Sequence, residues 1–331
     1  MKDKVFIFTE CLTFTGLGHL GRCTALAEIL QEAGRDAEIV LHTDGTGLGG
    51  QISVPIRALD WKNLKMLSDF LNQENPQIVF VDSYLADVQV YETIHKKARK
   101  LICIDDTNRI LYPEKSIILN PGLGGTYLDY DKEQNQIFTG IEYVLLRKPY
   151  REDFERLNVR EKVESILITL GGSDQLNLVP KILEILTKIK PEWGKEVVIG
   201  SSFQNIKEIE SIMDKNTKLH LPMSASEMRD LMLSVDLAVT AGGQTTYELA
   251  KCAVPMIIIE TAENQKLNVQ TWHEYCGIPI ILFEKIISKE GLAYLSKLID
   301  ENQDRKIRED LNKKLKSFFK NSFLNGIFNG V

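Results

Sequence analysis

Asp236–Glu260 reads DLAVTAGGQTTYELAKCAVPMIIIE, and this stretch decides the fold. Leu237–Thr240 is an apolar run of strand length. Gly242-Gly243 follow, then Thr245–Cys252 with helical spacing, then the strand-like Pro255–Ile259. Strand, glycine turn, helix and a second apolar strand form a unit with parallel strands covered on both faces. The glycines leave room for a diphosphate, and the amides that open the helix, with the Thr245 and Thr246 hydroxyls, can bind it. Glu248, about one turn further in, can accept hydrogen bonds from two ribose hydroxyls.

The same alternation extends outward in both directions. In the second half, strands are predicted at Ile166–Leu170, Glu196–Ile199, Leu237–Thr240, Pro255–Ile259 and Pro279–Leu282. Helices fit near 177–188, 203–213, 225–233, 245–252, 264–275 and 289–299, with a charged amphipathic tail helix over 303–320. In the first half, strands read Val5–Phe8, Ala37–Leu41, Ile78–Val81 and Leu101–Ile104, separated by helical patterns near 19–33, 62–73 and 87–98. Residues 148–162 (KPYREDFERLNVREK) are polar and strand-free and are assigned as the linker. The expected organisation is α/β. An N-terminal Rossmann-like domain spans 1–147 and a C-terminal one spans 163–331, both doubly wound and facing a central cleft. The tail helix is free to pack back on the first domain. Ligands of open α/β sheets bind beyond the strand C-termini, so the strand-to-helix loops are where chemistry is expected.

Composition narrows the function classes. The 331 residues carry 40 basic and 46 acidic side chains, a formal net charge of −6, which offers no basic footprint for nucleic acid. The five cysteines are odd in number and form no C-x-x-C pair, which argues against a disulfide scaffold or a zinc site and fits a reducing cytosol. No segment approaches the roughly 18 apolar residues of a membrane span. A cytoplasmic location is expected, with no metal and no cofactor, and the sequence is compatible with a monomer without fixing the oligomeric state.

Gly16, Gly18 and Gly21 spell G-x-G-x-x-G, with Asp44 after the second strand where a dinucleotide site places its ribose-binding acid. Loop length opposes that reading: Thr9–Thr15 intervene between the strand and Gly16, so the turn does not begin at the strand end. The alternative is a ligand-approach loop in which His19 opens the helix. The helix dipole there lowers the imidazole pKa and favours the neutral, proton-accepting form. Arg22, one turn on, either holds a phosphate or carboxylate or is a solvated surface arginine. Asp82-Ser83-Tyr84 follows the apolar strand Ile78–Val81, with Asp82 either facing the cleft or capping the helix near Asp87. Asp105-Asp106 is read as structural, because adjacent carboxylates on an extended chain point apart. Gly171-Gly172-Ser173-Asp174 either exposes amides to an anion or is a capped strand-to-helix turn. Ala262-Glu263-Asn264-Gln265 offers amide side chains that suit sugar hydroxyls and acetamido groups.

Taken in order, GLGHLGRCTALAEIL, the Asp82-Ser83-Tyr84 loop, Gly140–Arg151 (GIEYVLLRKPYR), LGGSDQLNL and AGGQTTYELAKCAVPMIIIETAENQ resemble the UDP-sugar hydrolases of pseudaminic acid synthesis and their spore-coat-polysaccharide relatives. The similarity covers roughly residues 4 to 285. It implies a GT-B-like fold and metal-independent hydrolysis of UDP-2,4-diacetamido-2,4,6-trideoxy-β-L-altropyranose to UDP and free sugar. It further implies a catalytic set of His19, Asn264 and Tyr84, with His19 as base for the attacking water, Asn264 at the sugar and Tyr84 as the phenol of the first-domain loop. Gly18, Arg22, Gly172, Ser173, Gly243, Gln244, Thr245, Thr246, Glu248 and Gln265 are the implied substrate-binding set, and Leu221-Pro222-Met223 is placed along the uracil. The family often carries an Arg and an Asp just after the first strand, where this chain reads Phe8-Thr9-Glu10-Cys11-Leu12-Thr13. Two other readings stay open: a glycosyltransferase on the same scaffold, and a non-catalytic nucleotide-sugar-binding protein.

Overall fold

The computed structural model describes residues 4–13, 15, 18–46 and 54–319. The chain divides into two compact units, with the boundary between Lys148 and Pro149. In the first, β1 (Lys4–Cys11), α1 (Gly18–Glu32), β2 (Asp36–Thr43), β3 (Ile56–Ala58), α2 (Leu64–Glu74), β4 (Ile78–Asp82), α3 (Val88–His95), β5 (Lys100–Ile104), β6 (Ile117–Asn120) and β7 (Gln136–Thr139) follow one another, and α4 (Lys148–Arg151) straddles the boundary. All seven strands are parallel, in the order β3-β2-β1-β4-β5-β6-β7. The strand order reverses between β1 and β4, and the crevice at that reversal is where doubly wound sheets bind ligands.

Strand alternation divides the core and aims the site residues. Val5, Ile7, Ile39, Leu41, Ile78 and Phe80 pack against α1 through Leu20, Cys23 and Leu26. Phe6, Phe8, Val40, Val79 and Val81 pack on the other face with Leu67, Phe70, Val90 and Tyr91 of α2 and α3. With a period of two, Asp82 therefore shares the face of Ile78 and Phe80 and points at the start of α1. Gly34, at φ +80, lets the chain turn out of α1, and Arg35 N–H caps Leu30 O at 2.9 Å.

The second unit comprises β8 (Ser165–Thr169), α5 (Leu178–Ile189), β9 (Gly194–Val198), α6 (Ile206–Ile212), β10 (Thr217–His220), α7 (Ala225–Ser234), β11 (Leu237–Ala241), α8 (Thr245–Cys252), β12 (Met256–Ile259), α9 (Lys266–Cys276), β13 (Ile280–Ile281), α10 (Phe283–Ile286), α11 (Lys289–Glu301) and α12 (Arg305–Phe318). Its parallel sheet runs β10-β9-β8-β11-β12-β13, with the reversal between β8 and β11. Both units are Rossmann-like, as the strand–helix alternation implies.

Of residues 148–162, read from sequence as a linker, all but Lys148 belong to the second unit. Leu157 N–H donates to Cys252 O at 3.1 Å, and Arg160 pairs with Asp236 at 3.1 Å. The tail helix α12, for which the sequence leaves a return to the first domain open, packs on α8 and α9. It is fixed by Asn312, which donates from Nδ2 to Leu157 O at 2.9 Å and to Ala253 O at 2.6 Å, and by buried Arg308, which donates to Arg160 O and Glu161 O. Among the described residues, no helix is long and apolar enough to cross a membrane. Asn312→Leu leaves two enclosed carbonyls without that donor and is expected to cost about 1–3 kcal/mol. Thermal unfolding checks this, and an unchanged Tm would contradict the tethering role.

Candidate functional site

In the first unit, the start of α1, the end of β4 and the loop after β5 come together around one carboxylate. His19 and Arg22 lie three residues apart on α1 and so share a helix face. Asp82, with a side chain 1% exposed, ends β4 between them. His19 Nδ1 is 2.8 Å from Asp82 Oδ1. Arg22 donates from Nε to Asp82 Oδ2 at 2.8 Å and from Nη2 to Oδ1 at 2.6 Å, a bidentate fork. Its remaining nitrogen, Nη1, donates to both oxygens of Asp106 at 2.8 and 2.9 Å. Tyr84 Oη donates to Asp106 Oδ2 at 3.0 Å, and the Tyr84 ring stands edge-on to the His19 ring with centroids 4.6 Å apart.

This network settles several of the alternatives. Arg22 is not a solvated arginine but the clamp between two acids. Asp82 is not the cap of α3; Asp87 does that by accepting from Val90 N–H at 3.0 Å. Asp105 is structural, accepting from Asn108 N–H at 2.6 Å and Tyr130 Oη at 2.8 Å. Asp106 points the other way, into the network, so the expected structural role holds for only one of the pair. Strand β1 continues to Cys11 rather than stopping at Phe8, which places Thr9, Glu10 and Cys11 within the sheet. Gly16 lies outside the described residues. Asp44 is occupied by the loop itself, accepting from Thr13 N–H at 3.1 Å and Thr46 N–H at 3.1 Å, which is not the posture of a free ribose ligand.

The expected lowering of the His19 pKa is also corrected. Burial does work against the imidazolium, but the charge of Asp82 and its hydrogen bond outweigh it, and the pKa stands above the ordinary histidine value. Burial likewise opposes ionisation of Asp82, yet Arg22 and His19 hold it well below the usual carboxylate range. An ionised Asp82 makes Nδ1 the donor, so neutral His19 carries its lone pair on Nε2, the arrangement of a general base oriented by an acid.

In the second unit, two loops flank the strand reversal and differ in what occupies their amides. After β8, Asp174 accepts from Leu178 and Val179 N–H at 2.8 and 2.9 Å, so the start of α5 already holds a carboxylate. Gly171 sits at φ +87, and Gly172 O accepts from Ser202 N–H at 2.9 Å. The Gly172-Ser173 turn is thus a capped turn in contact with the loop after β9. After β11, the Gln244 side chain makes no capping hydrogen bond to α8, and a Cβ on Gly243 would meet nothing within 4 Å. Gly243–Thr245 is therefore the better anion cradle of the two.

Two of the expected ligand contacts are committed elsewhere. The Thr246 hydroxyl donates to Gly243 O at 2.8 Å and accepts from Trp272 Nε1 at 2.9 Å, so it braces the loop from within instead of facing a phosphate. Gln265 Oε1 accepts from Gly242 N–H at 3.2 Å, Thr261 N–H at 3.0 Å and Thr261 Oγ1 at 3.1 Å, tying the loops after β11 and β12 together. Gly242 is required by that packing, because a Cβ would lie 2.3 Å from Val269 Cγ2. Glu248 is buried in the first turn of α8, while Asn264 is exposed on the 3-10 turn Glu263–Gln265.

These two units have the fold of the GT-B glycosyltransferases. MurG from Acinetobacter baumannii superposes with a TM-score of 0.65 over 99% of this chain and 98% of its own, at 14% identity. The spinosyn rhamnosyltransferase SpnG complexed with thymidine diphosphate gives 0.64 over 100% and 99%, at 12% identity. Among curated proteins, the chain is 28% identical over 270 residues to a Helicobacter pylori protein described as pseudaminic acid cytidylyltransferase and UDP-2,4-diacetamido-2,4,6-trideoxy-beta-L-altropyranose hydrolase. That match takes in 79% of this chain and 45% of the relative, so the chain spans about half of the longer protein. It is 22% identical over 311 residues to the spore coat polysaccharide biosynthesis protein SpsG of Bacillus subtilis, covering 88% of this chain and 87% of that one. No family model matches. The resemblance read from the sequence motifs thus extends to relatives in sugar biosynthesis.

A proton on His19 is held more tightly in the folded chain than in the unfolded one. Its contribution to stability is full below the ordinary imidazole pKa of about 6.5 and fades as pH rises past the elevated folded value. In Asp82→Asn the cost of burial is left unopposed by that charge, so His19 is expected to titrate below the ordinary value. NMR titration of the ring proton checks this, and an unmoved titration would contradict the assigned cause.

Proposed function

We propose that the protein hydrolyses a UDP-linked deoxy-diacetamido sugar to UDP and the free sugar. The observation that carries the reading is the His19–Asp82 pair, which fixes Nε2 as proton acceptor at the ligand-binding end of the first sheet. Water attacks the anomeric carbon and its proton passes to Nε2. The bond from that carbon to the diphosphate oxygen breaks, and the electron pair leaves with UDP. UDP is a good leaving group once its charge is bound, so the step needs no general acid. Gly243, Gln244 and Thr245 are assigned to the diphosphate, Glu248 to the ribose and Asn264 to the sugar. Leu221, 69% exposed just past β10, is assigned to the uracil. The H. pylori relative supports the reaction and the sugar, and the SpnG complex supports a nucleoside diphosphate on this fold.

The fold's glycosyltransferase neighbours favour a second reading, transfer to an acceptor hydroxyl by the same base. Incubation with the UDP-sugar and no acceptor separates them: hydrolysis releases UDP and free sugar, followed by NMR, whereas transfer releases neither until an acceptor is added. His19→Ala is expected to lose about 100-fold or more in kcat/KM while binding UDP as before. Full turnover in that variant would remove His19 from the chemistry, whereas a wild-type chain that binds the UDP-sugar without releasing UDP, with or without an acceptor, would be a binding protein.

Gly243→Ala tests the diphosphate assignment. With open space around its Cβ and no left-handed φ at this position, the variant is expected to keep or slightly raise its Tm. UDP affinity should nonetheless fall about tenfold by calorimetry, because the added methyl stands where the diphosphate approaches. Unchanged affinity would place the diphosphate elsewhere.

A further inference from the structure

Glu10 is a buried acid that the reaction above leaves unused. It stands one residue before the end of β1, in register with His42 of β2, and is 0% exposed. Its Oε1 accepts from Tyr84 N–H at 2.9 Å. Its Oε2 is enclosed and has no hydrogen-bond partner among the described residues. The nearest basic group in register, His42, is turned to Asp60, with Nδ1 3.1 Å from Oδ1. A carboxylate oxygen shielded from water and given no donor is costly, and such a group in a folded protein calls for a donor from elsewhere.

The location of Glu10 indicates the donor. Among the described residues its hydrogen-bond partner is the backbone of Tyr84, whose ring stands against His19, and the charge of Glu10 contributes at the His19 ring. The carboxylate therefore lies beside the loop whose Tyr84 ring stands against the proposed base. A phosphate would be repelled by it. The neutral N–H and O–H groups of an acetamido sugar are donors that a carboxylate accepts well.

We propose that Glu10 is a specificity-determining residue, whose Oε2 accepts a hydrogen bond from an N–H or O–H of the sugar. The proposal rests on the nucleotide-sugar reading above. It gives a purpose to the Thr9–Thr13 stretch, the part of the sequence that departs from the resembling family. A site built around such an acceptor discriminates strongly against sugars that lack the matching donor.

The test compares two affinities in a His19→Ala background, where the substrate survives: UDP, and UDP-2,4-diacetamido-2,4,6-trideoxy-β-L-altropyranose. Glu10→Gln keeps a carbonyl oxygen for Tyr84 N–H and places an amide donor where Oε2 stood. Glu10→Asp keeps the charge but withdraws the acceptor. Both are expected to bind UDP as the parent does and to lose about tenfold or more of the extra affinity that the sugar provides. An unchanged sugar increment in both variants, as an internal water on Oε2 would give, overturns the proposal. So does a parent that binds UDP and the UDP-sugar equally, or a loss of UDP binding in both variants, which would make Glu10 a folding residue. Hydrolysis by the wild-type chain is measured separately. Its absence alongside a Glu10-dependent increment would overturn the reaction and leave the sugar contact standing.

Discussion

The first unit depends on one buried charge. Asp82 cannot be left ionised and alone in the interior, and His19 and Arg22 are the groups that make it tolerable. Removing one partner of such a cluster typically costs about 3–5 kcal/mol, because the other charge is left unpaired. The same contacts fix the geometry. They lock the start of α1 onto the end of β4, set the tautomer of His19, and orient Arg22 so that its third nitrogen reaches Asp106 and, through it, Tyr84. A loop rich in glycine is thereby anchored at its helical end, while Gly18 and Gly21 keep open space around their Cα atoms.

The second unit solves a different problem, bracing the loops after β11 and β12 from within. Buried hydroxyls and amides do this from behind. Thr246 and Gln265 spend their hydrogen bonds mainly on backbone and on Trp272, while Gly243 keeps open space around its Cα. At α5 the equivalent position is taken by Asp174. A carboxylate that accepts from the first amides of α5, against a Gln244 side chain that makes no capping hydrogen bond at α8, distinguishes the two turns.

Much of this is legible in the sequence. The strand–helix alternation identifies both sheets because parallel strands buried on two faces read as continuous apolar runs. The short strands β3, β6, β7 and β10 escape, being three or four residues long and, at the sheet edges, partly polar. His19, Arg22 and Tyr84 stand out because they sit where strands end, and the structure brings all three together. Asp106 and Glu10 do not. Asp106 is hidden by its neighbour: only the folded chain shows that Asp105 turns to Tyr130 while Asp106 turns to Arg22. Glu10 reads as loop because the apolar run of β1 ends at Phe8, although the strand itself continues to Cys11. The sign of the His19 shift escapes for a related reason. A helix dipole is visible in a local sequence, whereas a carboxylate 63 positions away is not.

The central claim is that this scaffold delivers water to an anomeric carbon. Turnover in oxygen-18-labelled water, followed by mass spectrometry of both products, tests it most directly. Label is expected on the sugar, with none in UDP. Label in UDP would mean attack at phosphorus, and would contradict a His19 that activates water toward the anomeric carbon.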